Sequence, residues 1–170
     1  PLDHLFRATY QFWSDDFSFE AYHKMWETVP LLGRYIWNSV YISSMVTLLT
    51  MILIIPAAYA FARLDFPLKN VTLSMFLGVN MFTGAVLLIP LYRVLRTLGL
   101  LNTYWAMIIP GVAFLIPMGI WLLKSFLEKI PYELEEASFV DGASRLYTLR
   151  RVILPLAVPG LVVVGVSIFI

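Results

Sequence analysis

The 170-residue sequence contains no cysteine, so disulfides, thiolate chemistry and cysteine-ligated zinc are excluded. Histidine is almost as scarce: His4 and His23 both lie near the N-terminus, and a histidine-based metal or catalytic site is not expected. Charged residues make up only 14% of the chain against 60% hydrophobic, a usage far from that of a soluble globular domain. Twelve basic and eleven acidic side chains nearly cancel, leaving neither a basic excess to hold nucleic acid nor an acidic tail. There is no Gly-x-x-x-x-Gly-Lys-[Ser/Thr] loop to cradle nucleotide phosphates. The chain opens on Pro1 without a basic region and cleavage site, so no signal peptide is read.

What the sequence has instead is uncharged length. No Asp, Glu, Lys or Arg occurs between Tyr35 and Ala62, Asn70 and Tyr92, or Val152 and Ile170. Runs of about 20 apolar residues cross a hydrocarbon core of about 30 Å as helices. The expected fold class is therefore an all-α polytopic membrane protein, with spans at about 36–62, 71–92, 105–123 and 152–170. These spans carry no carboxylate, His or Cys from which a nucleophile–base pair is built, so no enzyme activity and no cofactor are expected.

Residues 1–35 interleave aromatics with acids and read as an extracytoplasmic or interfacial segment. Ser18 suits an N-cap ahead of a short amphipathic helix over Ala21–Glu27. Ala57, Ala58, Ala60 and Ala62 offer small surfaces for close packing, and Arg63 and Lys69 are expected to anchor the turn that follows. Asn80 and Thr83, near mid-membrane, are candidates for lining a translocation path, although helix–helix hydrogen bonding is the commoner use of such groups. Gly99 and Asn102 punctuate a second turn. Pro110, Gly111, Pro117 and Gly119 predict a bent third span.

Residues 124–151 are a polar island between two spans. Pro131 suits a first helical turn, and Leu134, Ala137 and Val140 recur as a narrow apolar stripe flanked by Glu133, Glu135 and Glu136. Gly142 supplies the positive φ that ends a helix, and Ser144 caps a second helix through Leu146 and Leu149. The expectation is a helical hairpin presenting carboxylates and small residues.

The spacing Glu136-Ala137-Ser138, Gly142, Val152-x-Leu154-Pro155 resembles the EAA loop of binding-protein-dependent ABC transporter permeases. Its consensus is Glu-Ala-Ala, three residues, Gly, nine residues, Ile-x-Leu-Pro; Ser138 and Val152 are the departures. Ala57 to Pro67 and the stretches Ile89–Tyr92 and Leu98–Trp105 resemble the carbohydrate-type members. The resemblance implies a type I importer permease bundle that here lacks its terminal helices, forming a path for a solute of sugar type. It further implies a cytoplasmic loop at 124–151 that couples to separate ABC ATPase subunits through Glu136, Ala137, Ser138, Asp141, Gly142, Leu154 and Pro155. The implied partners are a second permease subunit, identical or not, an extracytoplasmic solute-binding protein and the lipid of the inner cell membrane, which the chain crosses several times. With the loop inside, seven Lys and Arg fall inside and five outside, a thin margin in the expected direction. A secondary transporter or channel, or a structural membrane protein, is the alternative. The first commonly keeps ionisable groups in its spans, and the second gives no reason for the Glu136–Gly142–Pro155 spacing.

Overall fold

A computed structural model describes residues 20–81 and 84–170, and all the secondary structure among them is helical. The chain divides into two compact units, residues 1–39 and 40–170. In the first, α1 covers Glu20–Thr28 and is followed after three residues by the start of α2. Ser18 and the aromatic residues before it lie outside the described residues.

Helix α2 runs Leu32–Arg63 and α5 runs Trp105–Leu127, about 48 and 34 Å at 1.5 Å per residue, and both are apolar enough to cross a membrane. Pro110 and Pro117 lie inside a continuous α5. The uncharged run placed at 71–92 is not one helix. It is divided into α3, Lys69–Asn80, and α4, Gly84–Thr97, about 18 and 21 Å long, so neither spans alone. At the end of α3 Met81 N tightens onto the Gly78 carbonyl (3.1 Å), and the Asn80 amide donates within its own helix to the Phe76 carbonyl (2.9 Å).

The last run also departs from expectation. Helix α6 covers Glu133–Val140 and α7 Arg145–Thr148, which passes into a π-helical turn at Leu149–Ile153 and then α8, Leu154–Leu156. At Ala157 the chain bends by 80° into α9, Val158–Phe169. The boundary expected at residue 152 therefore moves to 157. Pro155 and Pro159 have no N–H to give, which interrupts the ladder on both sides of Ala157, and the π turn absorbs the mismatch with Leu154 N bonded to the Leu149 carbonyl. The other loop boundary shifts as well, because α5 continues through Lys124 to Leu127.

Glycines that admit side chains of neighbouring helices help assemble the core. A Cβ at Gly111 or Gly119 of α5 would come within 3.1 and 3.0 Å of Val46 and Ile54 of α2, so these glycines are contact points and not only interruptions. Gly160 of α9 faces Phe126 of α5, where a Cβ would lie 2.7 Å from the ring. The Trp121 indole donates to the Leu73 carbonyl at 3.0 Å, fixing α3 to α5. Ile54, Ala58, Ile108, Leu123, Ile153 and Val164 are buried at the centre of the cluster that results.

Gly160→Ala must push Phe126 aside and is expected to cost about 1–3 kcal/mol. Gly165→Ala, with open space around its Cβ, serves as the control. Thermal unfolding in detergent should separate them, with Gly160→Ala clearly below wild type; equal midpoints for the two variants would show that the α5–α9 approach is not close.

Candidate functional site

The α6–α7 hairpin is closed by its backbone. Ala143 N reaches the Ser138 carbonyl and Gly142 N the Phe139 carbonyl, each at 3.0 Å, the paired bonds of a Schellman ending. Gly142 sits at φ 82°, as the turn requires. The Ser144 side chain then caps α7 by accepting from Tyr147 N at 3.3 Å. Across the hairpin the hydroxyls of Ser138 and the buried Thr148 meet at 2.9 Å, and the Arg145 guanidinium lies 6.0 Å from the centre of the Phe139 ring.

One face of α6 is turned inward, and it is not the apolar one. Leu134, Ala137 and Val140 are exposed, Val140 to 88%, whereas Glu135 is 1% exposed. The buried carboxylate is met by α2. Tyr59 OH donates to Glu135 Oε2 at 2.9 Å, and Arg63 Nε approaches Oε1 at 2.5 Å, a charge contact without the alignment of a hydrogen bond. The same guanidinium donates through Nη2 to the carbonyls of Ile130 (2.6 Å) and Leu127 (3.1 Å), where α5 ends, and lies over the Tyr132 ring at 5.7 Å. A cation at the end of α5 and a carboxylate in the first turn of α6 both agree with the helix dipoles. Arg63 and Glu135 thus tie three helix ends together. Removing one partner of such a pair leaves the other charge buried, a loss of about 3–5 kcal/mol.

Of the residues singled out by the sequence, Ala137, Ser138, Asp141 and Gly142 line one open cavity of about 820 Å³ together with Tyr147 and Arg151. Glu136 is exposed but does not line it. Leu154 packs against the core and Pro155 is exposed, so neither joins that cavity. Asn80 is exposed and bonded within its own helix, and Thr83 lies outside the described residues. Lys69 holds its turn, donating to the Leu64 carbonyl at 2.9 Å with Asp65 at 3.5 Å. No cluster of His, Asp and Glu suited to a metal occurs among the described residues.

Residues 51–170 match the family described as "Binding-protein-dependent transport system inner membrane component". The chain is 39% identical over 140 residues to the trehalose transport system permease protein SugB of Mycobacterium tuberculosis, covering 82% of this chain and 51% of that protein. It is 39% identical over 136 residues to the trehalose/maltose transport system permease protein MalG of Thermococcus litoralis, covering 80% and 49%. A solved bacterial ABC transporter involved in the import of the acidic polysaccharide alginate has a similar chain, with TM-score 0.67 and 26% identity over 78% of this chain and 46% of that one. The chain spans about half the length of the curated relatives it matches.

The left-handed turn at Gly142 generates a prediction. Nothing lies within 4 Å of a Cβ there, so the cost of a side chain is backbone strain alone. Gly142→Val is expected to lose on the order of 1–3 kcal/mol and Gly142→Asn less. Limited proteolysis between α6 and α7 should be faster for the valine variant, and identical rates for both would mean that the turn does not need its positive φ.

Proposed function

The chain belongs to the family of binding-protein-dependent transport system inner membrane components, and from that membership we propose that it is part of the permease subunit of an ABC importer in the inner cell membrane. The solute is a sugar or oligosaccharide, as the names of the relatives that transport trehalose, maltose and diacetylchitobiose suggest. A second permease subunit completes the path, ATPase subunits supply the energy, and an extracytoplasmic binding protein delivers the solute.

The observation that carries this reading is the outward face of α6. Leu134, Ala137 and Val140 form an apolar stripe that is exposed among the described residues, with Glu136 exposed on the same short helix and an open cavity beside it at Gly142. An exposed apolar stripe next to a carboxylate suits a groove with apolar walls and a basic residue. In this reading the hairpin is the coupling element seated on the ATPase, and Ala137, Ser138, Asp141 and Gly142 shape the contact. Leu154 and Pro155 set the direction in which the chain leaves the hairpin for α9. The solute path runs between this subunit and its partner, and Asn80 and Thr83 stay candidates for its lining.

Glu136→Ala tests the docking. If the carboxylate is enclosed with a basic partner, its loss costs about 2–5 kcal/mol, enough to strip the ATPase from the purified complex and abolish ATP-driven sugar uptake in proteoliposomes. Wild-type recovery of the ATPase together with unchanged uptake would remove Glu136 from the interface.

A further inference from the structure

Glu135 raises a question that docking does not answer. Its neighbour Glu136 faces outward, yet Glu135 is withdrawn from solvent and held by two residues 76 and 72 positions earlier in the chain, Tyr59 and Arg63. A solvated helix face would leave a carboxylate outside, and a purely structural contact between helix ends would be made more cheaply by apolar side chains, since replacing a buried ion pair with packed hydrophobic residues is often neutral or stabilising. A charge pair differs from apolar packing in being directional: it holds one geometry and resists sliding.

The arrangement has the form of a three-way joint. Tyr59 and Arg63 stand one helical turn apart near the end of α2, so both meet the same carboxylate from one face. Arg63 also donates to the carbonyls of Leu127 and Ile130 at the end of α5, the first of which accepts Ile130 N as well. Glu135 lies in the first turn of α6. Any displacement of α6 is therefore delivered at one point to the ends of α2 and α5, the two longest apolar helices. On the other side of the hairpin the connection is of a different kind. There the chain leaves through the π turn and the 80° bend at Ala157, where the helical ladder is interrupted.

We propose that Tyr59, Arg63 and Glu135 are positioning residues that make α2, α5 and α6 move as one body, so that motion received by the hairpin becomes motion of the spans. This rests on the importer reading and adds to it the route by which work enters the membrane helices. Weakening the joint uncouples: the ATPase still docks on the outward face of α6 and still turns over, but less solute moves per ATP.

The test uses complete reconstituted complexes carrying Glu135→Gln, Tyr59→Phe or no change in this subunit, with ATP hydrolysis and sugar uptake measured on the same proteoliposomes. Glu135→Gln keeps the size of the side chain and removes its charge; Tyr59→Phe removes a single hydroxyl and is the variant of choice if Glu135→Gln fails to assemble. Both are expected to keep the ATPase at wild-type stoichiometry and turnover, while solute moved per ATP falls by about 2- to 30-fold, more for Glu135→Gln, the range over which residues along a coupling route act. Glu135→Asp should recover part of the ratio. A wild-type ratio in both variants, or uptake and hydrolysis falling together in proportion, would overturn the joint while leaving the importer standing. Absence of ATP-driven uptake by the wild-type complex would overturn the importer reading, and the joint with it.

Discussion

A carboxylate withdrawn from water needs a cation and donors beside it, and much of the arrangement at the hairpin end follows from meeting that need at Glu135. Because Arg63 supplies the cation, the end of α2 must lie against the start of α6. Because the same guanidinium takes the Leu127 and Ile130 carbonyls, α5 must end at the same place. One side of α6 is thereby committed inward, which leaves Leu134, Ala137, Val140 and Glu136 facing out. The outward face proposed to dock and the inward ion pair are two sides of a helix only eight residues long.

Within the apolar interior the constraint is distance instead of charge. Without a large hydrophobic driving force between helices in lipid, close packing has to come from small residues. Gly111 and Gly119, eight residues apart on α5, accept Val46 and Ile54, also eight apart on α2, so the two long helices meet along a common line. Gly160 admits Phe126 in the same way between α9 and α5. These contacts fix how far apart the helices stand, and the charged joint fixes how they are held at their ends.

The parts of this architecture that depend on local sequence were readable from it. The positive φ at Gly142, the Ser144 cap, and the left-handed residues Gly99 and Asn102 follow from what those side chains permit. The long uncharged runs behind α2 and α5 were equally plain. What escaped was set by tertiary partners. The period of three at Leu134, Ala137 and Val140 marked an apolar stripe but did not show which side of α6 turns inward; that side carries Glu135, because a cation 72 residues away reaches it. The one available hint was Arg63, an arginine standing directly after a stretch of alanines and aromatics; it was assigned to a turn that Lys69 holds without it. The divisions of 71–92 and of the last run were missed because hydropathy reports composition and is blind to where a ladder breaks. Beside the bend at Ala157, Pro155 and Pro159 have no N–H to give to the ladder.

In the proposed joint, α2 and α6 form one mechanical body through Glu135. The absence of cysteine makes it directly measurable. Spin labels on cysteines introduced at Ile52 of α2 and Glu133 of α6, both exposed and neither on the apolar stripe, report the distance between these helices by pulsed electron paramagnetic resonance in the assembled complex. One narrow distance is expected, the same with and without ATP in the unsubstituted joint, that broadens in the Glu135→Gln background. A distance that shifts between nucleotide states beyond the spread of the labels while the joint is intact would contradict it.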